Sequence, residues 1–478
     1  MIKFLTHIII IYTLTVGFIY ASSFSRYPYL SLIDKGEIVI AFKTKVPNPS
    51  GVIVEDSLGV EIQKINETYD TLHVFHFKLS SGKYRYKIMI SDTLISDDKF
   101  SFRIPSDSDS VLSFLIFGDS GTGGRAQFEV RDAMYDFLNE RKIDFILHTG
   151  DVVYEDGTPP HYDTRYFAVY HKMICNNFVF LTPGNHDYYY DGKGSGYFSS
   201  FFLPVNEYGT EEFYSFAFGN AFFISLNITG FVDYKPGSIQ YNWLIKTLSS
   251  EEAQGKKWRV VFFHIPPFST SRWYDPGVLI YLFPIFEAFR VDLVLCGHVH
   301  GYERGYFKGI TVITTGGGGA YLHFAEREEP NIIKYSFVHH FVWIKITENT
   351  VLITAVDKNK QVIDFLKMTK NSTYSRNNNN KELFWEIFAF PNPFDSGINF
   401  VLTPSEALEG SELPVIHIYD ICGRIVKSAQ PSLTSHALVY YWDGRNYKNE
   451  LVSSGVYIAL IETKRKKYVK TISRIKYK

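Results

Sequence analysis

Five apolar runs in the middle of the chain each end in side chains that can bind a metal ion. The runs are VLSFLIFGD, IDFILHTGD, FVFLTPGNHD, WRVVFFH and VDLVLCGHVH, and the candidate ligands at or just after their ends are Asp119, Asp151, Tyr154, Asn185, His264, His298 and His300. Helix capping or a hydrogen-bonded core histidine explains one such residue. Five strand ends of this kind together predict a shared metal site.

The donor types restrict the metal and the reaction. Asp, Asn, Tyr and His are hard to borderline donors without a thiolate among them, which favours iron, manganese or zinc over copper(I) or a cluster. Seven side chains exceed the needs of one four-coordinate ion, whereas two ions that share a bridging carboxylate would use all of them. Two metals about 3.5–4 Å apart are a recurring arrangement for in-line displacement at phosphorus. The set therefore predicts hydrolysis of a phosphate ester.

An α/β core is predicted to position these residues. The apolar runs are continuous, and helical patterns such as AQFEVRDAMYDFLNERK and PGVLIYLFPIFEAFR lie between them. Continuous apolar strands separated by helices indicate strands that are covered on their faces. Open α/β sheets gather their ligands at the carboxyl ends of the strands, where the polar residues of this chain fall.

Alternating stretches on both sides of the core indicate two further domains. Residues 24–108 contain EIVIAF, TLHVFHF and KYRYKIMI between polar turns, which is typical of a small β-sandwich. The core is assigned to residues 109–369, and an asparagine-rich linker to residues 370–385. Residues 386–478 again alternate, in VIHIYDICGRIV for example, and predict a second small β-sandwich.

The first 23 residues have the pattern of a secretory signal peptide. One lysine precedes an apolar run from about Ile8 to Tyr20, and small residues follow it, so we expect cleavage after Ser23. The alternative is an uncleaved membrane anchor, although the run is short for a span. Export would permit disulfides, but three cysteines in the whole chain indicate that the fold does not depend on them.

The composition narrows the class of protein. The 478 residues are 45% hydrophobic and 21% charged, which argues against a disordered chain. A formal net charge of -1 provides no basic field, so no nucleic acid partner is expected. Aromatic residues make up 17% of the chain, a level that favours a strand-rich secreted protein.

The ordered set GDSG, GDVVY, GNHD, VFFH and GHVH resembles the five-motif signature of purple acid phosphatases, within the calcineurin-like metallophosphoesterase superfamily. The resemblance spans about residues 24–369, because the segment that begins RYPYLSL is similar to the fibronectin-type domain of the larger members. It implies an α/β metallophosphoesterase core, with β-sheets flanked by helices, behind an N-terminal fibronectin III-like β-sandwich.

The resemblance also implies a ligand set. Most metallophosphoesterases place a histidine two residues after the first aspartate, and here that position is Gly121. In the resembling family a tyrosine supplies the missing ligand, and Tyr154 is the matching residue. Carried over by motif, iron(III) is held by Asp119, Tyr154 and His300, and a divalent iron, zinc or manganese ion by Asn185, His264 and His298, with Asp151 as the bridge.

The implied reaction is attack of a metal-bound hydroxide on the phosphorus of a phosphomonoester, an acid phosphatase activity. His186 is the candidate catalytic residue, oriented by Asp187, and Asn185 with His186 is expected to bind the substrate. A purely supporting role is the alternative for His186. The loop HIPPFSTSRWYDP lacks the second histidine found in many larger relatives, so the proton donor stays open among Arg272, Tyr274, His161 and His323.

Two segments near the last motif have less specific patterns. TTGGGGA lacks the lysine of a phosphate-binding P-loop and is interpreted as a close backbone crossing near the site. Glu303 and Arg304 form either a structural ion pair or a substrate contact.

The segment from about Glu386 onwards resembles the C-terminal sorting domain of type IX secretion substrates and the related immunoglobulin-like domain of flagellar hook-capping proteins. This resemblance implies contact with secretion machinery and export, by way of the periplasm, to the cell surface or the outside. A carbohydrate-binding or spacer module is the alternative.

Three functions remain open from the sequence. The leading one is a secreted binuclear metal phosphatase for phosphomonoesters, and the second is a phosphodiesterase or nucleotide hydrolase with the same two metals. The third is a surface binding protein with a catalytically dead domain, against which the intact ligand set argues. The oligomeric state is open.

Overall fold

A computed structural model describes residues 23–95, 100–370, 385–390, 392, 394, 397–404, 413–433, 438–463 and 466–476. The predicted signal peptide, residues 1–23, and the predicted linker, residues 370–385, lie almost wholly outside the described residues. Within those residues, no helix is long and apolar enough to cross a membrane.

The N-terminal part consists of strands that pair antiparallel with one another. They are β1 (Phe24–Asp34), β2 (Glu37–Asp56), β3 (Glu61–Lys78), β4 (Gly82–Ile90), β5 (Thr93–Ile95) and β6 (Ser101–Ile104). Strand β2 pairs with β1, β3 and β4, and β4 pairs with β5 and β6. Alternating residues of β4 are buried, which fits a strand with one face on a core.

The first sheet of the core contains a parallel centre and an antiparallel flank. The parallel strands are β7 (Val111–Phe117), β8 (Phe145–His148) and β9 (Phe178–Leu181). The second sheet contains β10 (Tyr214–Phe218), β11 (Ala221–Ser225), β12 (Trp258–Phe262), β13 (Leu293–Cys296), β14 (Tyr302–Phe307), β15 (Ile310–Thr315) and β16 (Ile332–Ser336). Its order is β10-β11-β12-β13-β15-β14-β16. The antiparallel flank of the first sheet is formed by β17 (His340–Thr347), β18 (Thr350–Asp357) and β19 (Val362–Thr369).

Most of the described helices are short, and they lie between the strands. They are α1 (Arg125–Glu140), α2 (Pro159–His161), α3 (Ala168–Ile174), α4 (Ser195–Phe198), α5 (Ile239–Leu248), α6 (Glu251–Gly255), α7 (Pro276–Tyr281) and α8 (Phe283–Ala288). A π-helical turn, Tyr162–Phe167, joins α2 to α3, and a 3-10 turn covers His186–Tyr188. The predicted α/β core is thus present.

The two sheets pack face to face, and helices cover their outer faces. Phe180 of the first sheet stacks on Phe216 of the second, with ring centroids 3.8 Å apart. On β11, Phe223 belongs to the core between the sheets, whereas Phe222 belongs to the core under α5 and α8. On the other side, Phe137 of α1 lies against Phe341 of β17. Both faces of each central strand are buried, which explains why the runs read as continuously apolar.

The N-terminal strands join the edge of the first sheet. Strand β1 pairs in parallel with β9 through Leu30 and Phe178. The side chain of Arg26 is buried there and forms an ion pair with Asp163 of the π-helical turn. The alternation in sequence predicts the strands but not this attachment, because the paired segments are far apart along the chain.

The C-terminal part contains two four-stranded antiparallel sheets in the described residues. One has the order β20 (Trp385–Phe390), β21 (Ile398–Pro404), β25 (Leu438–Trp442), β24 (Ser432–Leu433), and the other β23 (Ile425–Ala429), β22 (Val415–Asp420), β26 (Gly455–Glu462), β27 (Lys467–Arg474). Phe400 of the first sheet and Ile418 of the second belong to the same hydrophobic core. This two-layer arrangement is what the alternating pattern predicts.

Candidate metal centre

The predicted ligands lie together at the carboxyl ends of the core strands. Ligand atoms of Asp151, His264 and His298 all lie within 4.8 Å of one another, and so do those of Asp119, Asp151 and His300. Asp151 belongs to both groups and is 1% exposed. Two groups of ligands joined by one buried carboxylate form a geometry into which two cations fit.

Tyr154 lies against one of these two groups. Its hydroxyl is 2.9 Å from Asp151 Oδ2, 3.2 Å from Asp119 Oδ1 and 3.1 Å from His300 Nε2. Burial and the negative charges of the two carboxylates raise the pKa of Tyr154 well above its usual value. A bound cation reverses this preference, because its charge stabilises the phenolate.

Asn185 lies against the other group. Its Nδ2 donates a hydrogen bond to the Tyr189 hydroxyl at 2.7 Å, and its Oδ1 lies 3.1 Å from His264 Nε2. His298 Nδ1 is 3.2 Å from the same His264 nitrogen. The amide oxygen and the two ring nitrogens therefore converge on one point.

Backbone carbonyls set the orientation of two of the histidines. His264 Nδ1 donates to the carbonyl oxygen of Thr149 at 2.8 Å, and His300 Nδ1 donates to that of Tyr321 at 2.6 Å. A carbonyl only accepts, so each Nδ1 carries a hydrogen, and each Nε2 is the nitrogen left to face a metal ion.

Without a metal ion, burial and the neighbouring charges shift the pKa values of the histidines in the site in opposite directions. Burial opposes charge on His264, but the carboxylate of Asp151 outweighs it and raises the pKa of His264 to about 9. Burial, together with the charge of His264, lowers the pKa of His298 well below its usual value. Buried carboxylates beside imidazoles form the kind of site that a cation stabilises.

Three of the predicted ligands have a left-handed backbone conformation. The φ angles are 56° at Asp119, 50° at Asp151 and 66° at His298. Residues other than glycine adopt this region at a cost, and such residues cluster at functional sites. The amide of His298 donates to Asp119 Oδ2 at 2.9 Å, which ties two of these turns together.

Gly121, where most metallophosphoesterases have a histidine, has no room for a side chain. A Cβ atom there would lie 2.0 Å from the carbonyl oxygen of Val152. The backbone of residues 121 and 153 forms a parallel bridge, which keeps these segments in contact. The glycine loop crosses close to the same place, since a Cβ on Gly316 would lie 2.8 Å from Asp119 Oδ2. The interpretation of TTGGGGA as a close backbone crossing is confirmed.

Residues 112–302 match the calcineurin-like phosphoesterase family. This part of the chain is a calcineurin-like phosphoesterase domain. Residues 388–475 match the secretion system C-terminal sorting domain, which confirms the predicted sorting domain and indicates type IX secretion to the cell surface or the outside.

The relatives of the phosphoesterase domain are purple acid phosphatases. The chain is 24% identical over 346 residues to probable inactive purple acid phosphatase 27 of Arabidopsis thaliana, covering 61% of this chain and 54% of that protein. It is 28% identical over 240 residues to purple acid phosphatase 21 of the same plant, covering 46% of this chain and 53% of that protein. The chain thus spans about half the length of the curated relatives it matches.

A solved structure shows the same fold. The purple acid phosphatase from yellow lupin (Lupinus luteus) seeds aligns with a TM-score of 0.64 and 19% sequence identity, covering 72% of this chain and 74% of that chain. The predicted resemblance to purple acid phosphatases is confirmed by these relatives and by this fold.

His186 of the phosphoesterase domain lies beside Tyr154 and Tyr189. Its ring centroid is 4.5 Å from that of Tyr154 and 4.7 Å from that of Tyr189, and it is half-buried. Its amide donates to Asp151 Oδ1 at 2.9 Å, and its Nδ1 donates to the carbonyl oxygen of Glu155 at 2.5 Å. The ring is therefore held beside Tyr154, and the backbone of His186 contacts Asp151, the residue that both groups share.

The expectation that Asp187 orients His186 is wrong. The Asp187 carboxylate accepts hydrogen bonds from the amides of Gly184 and Val152, at 2.8 and 3.2 Å, and from the Tyr162 hydroxyl at 2.7 Å. The Asp187 carboxylate thus links the loop that contains Gly184 to the loop that contains Val152, because buried backbone amides need an acceptor.

Of the four candidates for proton donor, His323 lies against a predicted ligand. Its ring stacks on His300 with centroids 4.1 Å apart, and its Nδ1 accepts from the His300 amide at 3.1 Å. By contrast, Arg272 pairs with Glu326 at 3.6 Å, the Tyr274 hydroxyl accepts from Arg327, and His161 pairs with Asp156.

Glu303 and Arg304 do not pair with each other, so the interpretation of the two residues as a structural ion pair is wrong. Glu303 Oε1 accepts from the amide and hydroxyl of Thr270, at 2.9 and 2.5 Å. Arg304 instead pairs with Asp364, Nε to Oδ2, at 2.6 Å. Adjacent residues of β14 point to opposite faces of the sheet, which separates the two side chains.

Sequence reasoning missed three residues that contact the predicted ligands. Tyr189 positions Asn185, Tyr321 positions His300 through its carbonyl oxygen, and the Trp273 ring lies 6.1 Å from that of His298. Trp273 belongs to the loop HIPPFSTSRWYDP, and nothing in that stretch of sequence marks the tryptophan as a residue that faces the site. A carbonyl contact leaves no signal in the sequence.

Proposed function

We propose that the phosphoesterase domain is a binuclear metal phosphatase that hydrolyses phosphomonoesters, as an acid phosphatase does. The single observation that carries the proposal is the position of Asp151, whose carboxylate belongs to both groups of candidate ligands. A site that had lost its function would not need seven donor side chains directed at two adjacent points.

In this proposal each metal position has three ligands of its own. Iron(III) would be held by Asp119, Tyr154 and His300, and a divalent iron, zinc or manganese ion by Asn185, His264 and His298, with Asp151 as the ligand available to both. The proximity of the Tyr154 hydroxyl to Asp119, Asp151 and His300 supports the first set. A phenolate is a hard anionic donor, which favours a trivalent ion.

The two metal ions supply a nucleophile made from water and a positive field for the phosphate oxygens. The protein supplies orientation. Asn185 is turned towards the second metal position by Tyr189, and with His186 it is proposed to contact the bound phosphate. Because Nδ1 of His186 is bonded to the carbonyl oxygen of Glu155, its Nε2 is the nitrogen left for a phosphate or leaving-group oxygen.

The chain as a whole is proposed to consist of parts that export the enzyme, an N-terminal domain and a catalytic part. Residues 1–23 act as a cleaved signal peptide that takes the chain through the periplasm, and residues 386–478 act as an immunoglobulin-like sorting domain. Residues 24–108 form a fibronectin III-like domain, and residues 109–369 are the catalytic part. The sorting-domain match and the strands β1–β6 support this division.

The first test is the visible absorption spectrum of the iron-loaded protein. Wild type is expected to show a broad charge-transfer band that is lost in Tyr154→Phe, whereas Tyr190→Phe, at a neighbouring exposed tyrosine, keeps it. No band in the wild type would reject iron(III) on Tyr154.

The second test is turnover of a phosphomonoester by Asp151→Asn. Loss of the carboxylate shared by both groups removes several kcal/mol of stabilisation by the metals, which corresponds to a loss of about 10³-fold in kcat/KM. Equal activity in wild type and variant would reject the catalytic assignment.

A further inference from the structure

Four residues with exposed aromatic side chains lie beside the candidate metal centre: the rings of Tyr189 and Trp273 lie against His186 and His298, Phe231 lies next to Tyr189, and the backbone of Tyr321 contacts His300. They are defined here as the aromatic rim, and their exposed fractions are 52% for Tyr189, 45% for Phe231, 40% for Trp273 and 91% for Tyr321. Large aromatic groups exposed together beside a polar centre are a mark of a ligand site rather than of an ordinary surface.

The rim is in contact with the predicted ligands on several sides. The Trp273 ring stacks on His323, with centroids 5.7 Å apart, and meets the His298 ring edge-on at 6.1 Å. On another side, the Tyr189 ring lies 4.7 Å from His186 and 6.2 Å from Phe231. A phosphate bound at the metals would therefore have its alcohol group among these rings.

The charges near the rim disfavour a second anionic group. In the contacts recorded for the described residues, no lysine or arginine side chain reaches the side chains of the seven predicted ligands. The guanidinium of Arg272 lies 5.0 Å from the centroid of the Trp273 ring, and it is paired with Glu326 at 3.6 Å. Recognition of a polyphosphate usually needs unpaired cations of this kind.

We propose that the aromatic rim binds a planar aromatic ring on the alcohol side of the phosphomonoester, with Trp273 as its main stacking surface. The ring is either an aryl group or the base of a nucleotide, since both present a flat π-face. The inference rests on the proposed function and specifies the substrate class of that site.

The test compares pairs of esters that differ by the ring and share the type of leaving group. Adenosine 5′-monophosphate is compared with ribose 5-phosphate, and benzyl phosphate with butyl phosphate, for kcat/KM in wild type, Trp273→Leu and Trp273→Phe. Wild type is expected to prefer the ringed ester. Stacking on an aromatic side chain makes the expected fall in this preference about tenfold in Trp273→Leu, with most of it regained in Trp273→Phe.

The ratio within each pair separates stacking from a general disturbance of the site, because a disturbed metal centre slows both esters of a pair. Tyr306→Leu, at an exposed tyrosine on β14 that is 52% exposed, is the control and keeps the wild-type ratio. A preference for the nucleotide alone would assign the rim to a base, and a preference in both pairs to any aromatic ring. A ratio of kcat/KM values in Trp273→Leu equal to that of the wild type would overturn the proposal. This is also the result expected if the rim binds a protein partner and not the substrate.

Binding of non-hydrolysable phosphonates keeps the two proposals distinguishable. Benzylphosphonate and butylphosphonate are titrated into the metal-loaded wild type and Trp273→Leu by calorimetry. Tighter binding of the benzyl compound that depends on Trp273 supports the rim even if none of the four esters is hydrolysed, in which case the proposed activity alone fails. Equal affinities for the two phosphonates in the wild type overturn the rim.

Discussion

The side-chain amide of Asn185 donates a hydrogen bond to the hydroxyl of Tyr189 at 2.7 Å. An amide has a donor and an acceptor end, so this bond determines which end faces the predicted metal position. The Asn185 oxygen consequently lies 3.1 Å from His264 Nε2, where a cation can use it. A residue outside the predicted ligand set thus controls the orientation of a residue within it.

Tyr189→Phe is therefore expected to weaken binding of the divalent ion. Loss of a partner that orients a metal ligand typically costs about 10–100-fold in metal affinity. Competition with a chelator of known affinity measures the loss, while the iron-tyrosine absorption band reports that the other position is intact. Tyr190→Phe, at the adjacent exposed tyrosine, is the matched control, and an equal loss in the two variants would reject the orienting role.

Gly121→Ala is expected to lower the free energy of unfolding. The added Cβ would lie 2.0 Å from the Val152 carbonyl oxygen, a backbone atom that cannot move without its loop. Overpacking of this kind costs about 1–3 kcal/mol, measured by urea unfolding. Gly255→Ala is the control, because a Cβ there meets no atom within 4 Å. Similar stabilities for the two variants would show that the crossing is looser than described.

His340 is expected to make stability fall in acid. Its side chain is fully buried against Thr315 Oγ1 and the Val338 carbonyl, and burial lowers the pKa of His340 to about 4 from an ordinary value of 6.5. The folded state therefore binds the proton less tightly than the unfolded state. Its contribution is fully present above pH 6.5 and is lost progressively as the pH falls towards 4.

The difference between the pKa values of His340 in the folded and unfolded states changes the free energy of unfolding by about 3 kcal/mol across this pH range. His340→Gln removes the titrating group, so the gap in unfolding free energy between wild type and variant should change across this range. Urea unfolding at several pH values measures it, and the titration of the predicted ligands cancels because it is common to both proteins. A constant gap would contradict the prediction.

Arg26→Met is expected to loosen the N-terminal strands from the core. The Arg26 side chain is 1% exposed, pairs with Asp163 and lies over the Phe167 ring at 3.9 Å. Breaking a buried pair costs several kcal/mol, but Asp163 keeps Lys43 at 3.0 Å, so we expect a loss of about 2–3 kcal/mol. Lys43→Met, which removes the more exposed partner, should cost less than about 1 kcal/mol. Urea unfolding compares the two, and the reverse order would contradict the assignment.

Much of the candidate site was predictable because strand ends are a local property of the sequence. A buried strand reads as a short apolar run, and the polar residue that follows it lies at the sheet edge, as Asp119 and His264 do. The tyrosine in GDVVY was interpretable only through the resemblance to a family, because spacing alone does not direct Tyr154 towards Asp119. The sorting domain was predictable in the same way.

Contacts between distant loops were not predictable. The sequence places Asp187 beside His186, and the expected pairing was wrong because Asp187 instead accepts from Val152, which is 35 residues away along the chain. The aromatic rim was missed because Trp273 and Tyr189 carry no mark in the sequence of facing the same centre. The parallel pairing of Leu30 with Phe178 likewise joins segments without a shared local pattern.

The sequence by itself determined which residues follow the buried strands, and thereby the types of donor available for metal ions. Only the tertiary structure decided that Asp151 lies between both groups, that Gly121 has no room for a side chain, and that Tyr189 turns Asn185. The physical reason is that the periodicity of apolar residues depends on neighbours in the chain, whereas close approach and hydrogen bonding depend on how separate loops pack.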